Sequence, residues 1–131
     1  MRRDFILPEE DVEFLQSCGL NWQTVLDAYG KWLIIDNYAV PLGYNIPKVN
    51  VALKIDPGYP VAQIDMAYFY PALVRLDGKP IAALTTQPIN GAIWQRWSRH
   101  RTGENPWRPG LDGIFTHLKM VDYWLEREIR K

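Results

Sequence analysis

A serine and a histidine lie two residues apart in the segment Trp94–Arg101, which reads Trp-Gln-Arg-Trp-Ser-Arg-His-Arg. If the segment is extended, Ser98 and His100 project to the same side with Cα atoms about 6.6 Å apart. If it is helical, about 200° of rotation separates the two side chains. Because an unactivated serine needs a general base, the extended form predicts nucleophilic catalysis in which His100 deprotonates Ser98.

The aromatic and cationic neighbours of this pair allow two other interpretations. One is an exposed contact surface in which Trp rings and Arg heads bind a partner. The other is a structural loop that buried Trp side chains hold in place while the Arg heads stay in solvent. Pro and Gly residues predict an irregular loop between Gln87 and Pro109. The candidate binding residues of this region are Trp94, Arg96, Trp97, Arg99, Arg101 and Trp107.

Two carboxylates are candidates for orienting these groups. Asp65 alternates with apolar neighbours and is predicted to be a strand residue that pairs locally. As a buried carboxylate, it could also orient the cationic loop. A triad of Ser98, His100 and Asp112 is a second arrangement, and its geometry is not testable from one sequence.

The only thiol, Cys18, lies at the C-terminal end of the first predicted helix, where the helix dipole disfavours a thiolate. We therefore interpret Cys18 as a small apolar residue on the inner face of that helix and not as a nucleophile. His117 is interpreted as a boundary residue beside the apolar stripe of the last helix. No set of His, Cys or carboxylate residues stands at ligand spacing, so the sequence predicts no metal site and no bound cofactor.

Composition argues against several classes of protein. The chain has 15 Lys and Arg against 15 Asp and Glu, and zero net charge disfavours nonspecific nucleic-acid binding. A single-stranded nucleic-acid binder is a lesser alternative, because segment 94–108 carries four Arg against Glu104 and offers stacking rings. One Cys excludes a disulfide framework, and no apolar run approaches the ~20 residues of a membrane span. We expect a soluble, cytoplasmic protein with a single domain over residues 1–131.

The elements that must position these side chains follow from hydrophobic periodicity. Pro8 and the acids after it predict a helix that ends at Gly19, and an apolar stripe from Leu111 to Ile129 predicts a last helix starting near Pro109. Asp56–Tyr59 has the Pro and Gly of a type II turn. Strands are predicted at Trp22–Leu26, Trp32–Val40, Val49–Ile55, Ile64–Tyr70 and Ile81–Leu84. This order predicts an α+β fold with an N-terminal helix, an antiparallel β-meander, a long irregular loop and a C-terminal helix.

These elements and several short motifs resemble the ubiquitin-conjugating enzyme fold. The strand and proline-containing turn Val51–Pro60 look like the segment by which that superfamily is recognised. The closer similarity is to prokaryotic ubiquitin-conjugating-enzyme-like family E, and it covers nearly the whole chain. Its motifs stand here as Leu7-Pro8, Gly58-Tyr59-Pro60, Ile64-Asp65-Met66, Trp94–His100 and Trp107–Asp112.

The chain departs from the typical enzymes of this superfamily at the reactive centre. Those enzymes carry a His-Pro-Asn motif followed by a catalytic Cys, which holds ubiquitin as a thioester. Here Tyr70-Pro71-Ala72 stands at the first motif, Ala82 stands where the Cys is expected, and no Cys follows Cys18. The resemblance therefore argues against ordinary thioester transfer.

Two hypotheses follow from the resemblance. In the first, an atypical conjugating enzyme works with an activating enzyme and carries a ubiquitin-like protein as an oxyester on Ser98. His100 would be the general base, and Arg96, Arg99 or Arg101 would hold the carboxyl end. In the second, the chain is a non-catalytic module that binds the ubiquitin-like protein or its activating enzyme. ATP would be consumed by the activating partner, so no cofactor is implied for this chain.

Overall fold

The N-terminal helix α1 spans Glu9–Ser17 in the computed structural model, which describes residues 1–131. Acidic residues fill its first turn, where they meet the positive end of the helix dipole. The helix ends as predicted before Gly19, whose φ of 65° suits a left-handed terminus. The interpretation of Cys18 as an inner-face residue is wrong. The helix stops before it, so Cys18 lies beyond the face that buries Leu15 and is exposed.

Six antiparallel strands form one sheet in the order β1-β2-β3-β4-β6-β5, which confirms the α+β class. The first four strands form the predicted meander. The sixth strand then inserts between the fourth and the fifth, so its end lies beside the start of the fourth through the pair Ala67–Trp97. The strands are β1 (Asn21–Asp27), β2 (Gly30–Ala39), β3 (Lys48–Lys54), β4 (Ala67–Tyr70), β5 (Leu84–Ile89) and β6 (Ala92–Trp97).

The segment 87–109 is only partly irregular, in contrast to the predicted loop. Strands β5 and β6 form a hairpin there, and Asn90-Gly91 makes its two-residue turn with φ values of 49° and 82°. Positive φ at both turn residues is the mark of a type I′ turn, for which Asn-Gly is the strongest sequence signal. Pro88 fits because β5 is an edge strand. The predicted strand Ile81–Leu84 is wrong in position, since β5 begins only at Leu84.

Two local predictions between β3 and β4 also need correction. Strand β4 starts at Ala67 and not at Ile64, because Met66 has a φ of 58° that interrupts extended pairing. The turn Asp56–Tyr59 closes with a hydrogen bond from Tyr59 N–H to Asp56 O at 2.9 Å. It is not of type II, because Gly58 does not have a positive φ.

The C-terminal helix α2 spans Ile114–Ile129 and packs on the inner face of the sheet. It starts later than predicted. Gly113 N–H bonds to the Thr116 hydroxyl at 3.0 Å at the start of the helix, and Leu111 lies before it with 63% of its surface exposed. Neither helix is long and apolar enough to cross a membrane. The inner core includes the fully buried Leu15, Leu33, Leu53, Phe69, Trp97 and Leu125.

The outer face of the sheet carries a second buried cluster. The sheet curls until the tips of the β1–β2 and β5–β6 hairpins meet, where Asn90 N–H donates to the Asp27 carboxylate at 2.9 Å. The curl shields Trp32 and Tyr68, whose rings pack edge to face at 5.1 Å. Both faces of the sheet therefore bury aromatic side chains. The outer cluster consists of Val25, Trp32, Ile34, Ala52, Tyr68, Ile89 and Trp94.

Candidate functional site

Ser98 directly follows β6 and lies between two segments that are distant in sequence. Its backbone N–H donates to Ala83 O at 3.1 Å, and its hydroxyl contacts the Met66 sulfur at 3.9 Å, the only partner of that hydroxyl. The pairing of β4 with β6 explains this position, because residues just before β4 lie beside residues just after β6. Ser98 thus lies next to Ala82 and Ala83, where the resemblance expects the missing Cys.

His100 is oriented by Asp65. Its Nδ1 lies 3.0 Å from both carboxylate oxygens. A carboxylate only accepts, so Nδ1 carries a proton, and in the neutral imidazole the lone pair is on Nε2. Nε2 has no partner in the protein, and the His100 and Asp65 side chains are 59% and 38% exposed. An imidazole held in this way can accept a proton at Nε2.

The triad that includes Asp112 is not formed. Asp112 accepts Arg108 N–H at 2.8 Å and lies 3.8 Å from Arg101 Nη1. Burial acts to raise the pKa of Asp112, but hydrogen bonds from Arg108 and the charge of Arg101 hold it below its usual range. Asp65 takes the orienting role instead. It lies before β4 and not within a strand, and its side chain is partly exposed and not buried. Ser98 and His100 make no hydrogen bond to each other. We call Asp65, Met66, Ser98 and His100 the Ser98 site.

Two strained backbone positions contact Ser98 directly. Met66 and Ala83 have φ values of 58° and 55°, which side chains with a Cβ rarely adopt. Such a conformation costs about 1–2 kcal/mol per residue. One of these residues contacts the Ser98 hydroxyl and the other accepts its N–H. Strain of this kind concentrates at functional sites, and nothing in the local sequence signals it.

His117 holds one of the strained positions in place. Its Nε2–H donates to Met66 O at 2.7 Å, and its ring packs edge to face on Trp124 at 5.5 Å. The side chain is fully buried, so its interpretation as a boundary residue is wrong. Burial lowers its pKa to about 4, and its Nδ1 has no partner. The sequence did carry a signal for this burial. His117 lies three positions after Ile114, which places both residues on the buried face of α2.

The Trp residues of the cluster are not an exposed contact surface. Strand alternation sends Trp94 to the outer face and Trp97 to the inner core, where they are 5% and 0% exposed. The Trp97 indole donates to the Gln95 side chain at 2.9 Å. The interpretation in which buried Trp side chains hold the segment is therefore right about burial, but residues 94–97 of the segment belong to a strand and not to a loop.

The arginines of the segment are tied to the protein. Arg96 Nε donates to the Thr85 hydroxyl at 2.7 Å on the outer face. Arg99 donates to Ala82 O at 3.0 Å and to the Glu128 carboxylate at 3.3 Å, so it joins the expected Cys position to α2. Burial lowers the pKa of Arg99, while Glu128 opposes this.

A second group of side chains forms a closed structural unit, the Trp107 cluster of Tyr59, Arg101, Trp107 and Asp112. The guanidinium of Arg101, only 6% exposed, lies over the Trp107 ring at 5.0 Å. The Trp107 indole donates to Pro60 O at 3.0 Å. The Tyr59 hydroxyl donates to Asp11 at 2.7 Å and accepts Ile114 N–H at 3.0 Å. These contacts fasten segment 98–113 over the start of α2.

No three His, Cys, Asp or Glu side chains converge as a metal site requires. The Ser98 hydroxyl and the Asp65–His100 pair are groups of the kinds that take part in proton transfer and acyl transfer.

Comparison with known proteins places the chain in a family. The model of prokaryotic E2 family E, a family of proteins like ubiquitin-conjugating enzymes, matches residues 7–128. No curated protein and no solved structure gives a significant match. Membership indicates a role related to ubiquitin conjugation, with ubiquitin-like proteins and activating enzymes as the general class of partner. The N-terminal helix, six-stranded sheet and C-terminal helix fit that fold. Since the match covers nearly all of the sequence, the chain belongs to prokaryotic E2 family E.

Proposed function

We propose that this protein is an atypical conjugating enzyme that receives a ubiquitin-like protein from an activating enzyme and carries it as an oxyester on Ser98. The observation that supports this most is the Asp65–His100 pair, whose free Nε2 lies on the segment that begins at Ser98. Asp65 and Met66 are adjacent in the chain, one bonded to His100 and the other in contact with Ser98. Ser98 and His100, the two predicted catalytic residues, therefore both contact the adjacent residues Asp65 and Met66.

The loading step transfers an acyl group to the serine oxygen. The Ser98 hydroxyl attacks the activated carboxyl carbon at the end of the ubiquitin-like protein, and its proton passes to His100 Nε2. The bond from that carbon to its leaving group on the activating enzyme breaks. His100 then returns the proton to the leaving group. Asp65 stabilises the imidazolium during the step, as the third group of a catalytic triad does.

Discharge to a target reverses the roles of the groups. An acceptor amine attacks the ester carbon and gives a proton to His100 Nε2. The bond from that carbon to the Ser98 oxygen then breaks, and the oxygen takes the proton from the imidazolium. Arg99 is the arginine in contact with the Ser98 backbone, with Nη1 3.3 Å from Ser98 O, and it supplies positive charge near the developing oxyanion. Arg101 is buried against Asp112 and Trp107, so we assign it to positioning.

The experiment mixes the purified protein with its cognate ubiquitin-like protein, the activating enzyme and ATP, and looks for an adduct on a denaturing gel. We expect an adduct that resists thiol and is cleaved by mild base, as an ester is. Ser98→Ala should abolish it, and Ser98→Cys should convert it into a thiol-sensitive adduct. Ser17→Ala is the matched control, since Ser17 is an exposed serine at the end of α1.

The second candidate function is a non-catalytic binding module. It is favoured by the state of the Ser98 hydroxyl, which contacts a sulfur at 3.9 Å and makes no hydrogen bond to His100. Loading requires that hydroxyl to turn towards His100, and catalytic hydrogen bonds often form only with substrate bound. Absence of any adduct, with binding of the ubiquitin-like protein retained, would select the module. An adduct lost in Cys18→Ala but not in Ser98→Ala would refute both the assignment of Ser98 as the nucleophile and the interpretation of Cys18 as unreactive.

A further inference from the structure

A groove of about 610 Å³ borders the Ser98 site and contains neither Ser98 nor His100. It lies between the β1–β2 hairpin and the segment that leads from β3 to β4. Leu26 and Tyr29 form an apolar rim, and about half of the surface of each is exposed. Asp65 lines one wall, so the groove is adjacent to the Ser98 site. A cavity with an apolar rim and a few converging polar groups is the usual form of a binding site.

The charges in this groove are unequally satisfied. Lys31 and Lys54 both line it, and neither forms a salt bridge. Of the two carboxylates of the groove, Asp65 is bonded to His100, whereas Asp56 accepts Gly58 N–H at 2.7 Å and forms no salt bridge. The groove therefore offers two lysine ammonium groups that have no carboxylate partner.

A tyrosine hydroxyl adds a third free donor. Tyr68 is only 2% exposed and lines the groove, and its hydroxyl makes no hydrogen bond to any protein group. The other well-buried tyrosine, Tyr44, donates to Leu125 O at 2.6 Å. The Tyr68 hydroxyl is not itself cut off from solvent, so it is available at the groove to donate to a ligand or to water. Arg96 lies opposite Tyr68 in the β4–β6 pairing and adds positive charge on that face.

One of the lysines is held in place by the local backbone. A Cβ atom at Gly30 would lie 2.9 Å from Lys54 Cε, so the glycine leaves the space through which the Lys54 side chain runs. The Lys54 ammonium then lies 5.7 Å from the Trp32 ring centroid. A cation over an aromatic face loses less entropy on binding, because part of its freedom is already restricted.

We propose that this groove binds an acidic peptide segment of a partner protein. A carboxylate of the peptide lies between Lys31 and Lys54 and accepts the Tyr68 hydroxyl, and a neighbouring apolar side chain packs on Leu26 and Tyr29. A peptide fits better than a nucleic acid, because the exposed Leu26 and Tyr29 form an apolar rim that an apolar side chain of a peptide can cover. This inference is independent of ester formation on Ser98.

Fluorescence anisotropy with the full-length protein tests the groove. The probe is a fluorescein-labelled peptide of alternating Leu and Glu, compared with a matched peptide in which every Glu is Gln. We expect the Glu peptide to bind about fivefold more tightly, and the difference to shrink as salt is raised. The variant K31Q/K54Q should lose this preference, whereas Lys48→Gln should keep it, because Lys48 is exposed and lies outside the groove.

Three results would overturn the proposal. The first is equal affinity for the Glu and Gln peptides, and the second is a preference that K31Q/K54Q does not change. The third is tighter lysine-dependent binding of a single-stranded oligonucleotide or of inorganic phosphate, since the occupant would then not be a peptide. Tyr68→Phe gives a separate readout, and we expect it to weaken the Glu peptide about threefold through loss of one hydrogen bond. Circular dichroism spectra of all variants exclude a loss of fold.

Discussion

The Trp107 cluster and the Ser98 site both draw residues from the Trp- and Arg-rich part of the chain, yet their side chains differ in bonding and exposure. In the Trp107 cluster the indole, the tyrosine hydroxyl and the Asp112 carboxylate all have partners at 2.7–3.0 Å, and the two unbonded nitrogens of Arg101, Nε and Nη2, are buried. In the Ser98 site the hydroxyl has a weak sulfur contact and His100 Nε2 has none. Saturated groups contribute to stability, whereas accessible groups with unused bonding capacity are available for chemistry.

Backbone strain, like the accessible groups without hydrogen-bond partners, is found at the Ser98 site and not in the Trp107 cluster. Met66 and Ala83, both with positive φ, contact Ser98, and no residue of the Trp107 cluster has a positive φ. The two regions therefore predict opposite responses to mutation. Changes in the Trp107 cluster should lower the free energy of unfolding, and changes in the Ser98 site should alter reactivity while stability is kept.

The largest effect is expected for Asp112→Ala. It leaves the buried Arg101 guanidinium without its counter-charge and leaves Arg108 N–H unpaired. Breaking a buried ion pair in this way costs about 3–5 kcal/mol. Urea unfolding followed by tryptophan fluorescence measures it. Arg108→Gln is the control and should change stability by about 0.5 kcal/mol, because the Arg108 side chain is 60% exposed. A loss of about 1 kcal/mol or less for Asp112→Ala would mean that Asp112 is not needed to compensate the charge of the buried Arg101.

His117, which bonds to Met66 of the Ser98 site, predicts a pH dependence of stability. Its pKa is about 4 in the folded protein against 6.5 for an exposed histidine, so the unfolded chain binds the proton first. Its contribution is complete above pH 6.5 and is lost as the pH falls towards 4. The free energy of unfolding should fall by about 3 kcal/mol over that window.

The variant His117→Gln isolates this contribution. Glutamine can still donate to Met66 O but does not titrate, so the fall in stability between pH 6.5 and 4 should be smaller by that amount. Urea unfolding at a series of pH values gives the slope for both proteins. Identical slopes would show that His117 is not the titrating group.

A smaller effect of opposite sign is expected for Ala83→Gly. Glycine adopts a φ of 55° without strain, and after its greater loss of chain entropy the variant should gain about 0.5–1 kcal/mol. The matched control is Ala82→Gly, whose φ is not positive and which should lose stability by a similar amount. If the strain serves the site, Ala83→Gly also forms the ester adduct more slowly. A destabilised Ala83→Gly variant would contradict the assignment of strain.

The smallest effects on stability belong to the Ser98 site. Ser98→Ala and His100→Ala should each change the free energy of unfolding by about 0.5 kcal/mol or less, because neither side chain has a strong buried partner. Both should nevertheless abolish the ester adduct. Thermal melting and the denaturing gel give the two readouts on the same samples. A large loss of stability in either variant would erase the contrast between the two regions.

Much of the fold could be predicted because its signals are local. Alternation from Val49 to Ile55 predicts β3, and the apolar stripe beyond Ile114 predicts α2. The Asn90-Gly91 pair is also a sequence signal for the β5–β6 hairpin. The number of Pro and Gly residues in this region, taken alone, predicts an irregular loop instead. The site was harder to predict from the sequence. Asp112 is nearer to His100 along the chain than Asp65 is, but distance along the chain does not determine which carboxylate bonds to His100.

The sequence by itself determined the α+β class, the family motifs and the absence of a cysteine where the typical enzymes of the superfamily carry one. The tertiary structure alone decided that Asp65 and not Asp112 orients His100, that both faces of the sheet are covered so that Trp94 and Trp97 are each buried, and that His117 supports Met66. The physical reason is the insertion of β6 between β4 and β5. Strand order depends on the packing of the whole sheet, and this pairing brings residues 35 positions apart into contact. Local periodicity reports only which face a residue occupies and not which strand lies beside it.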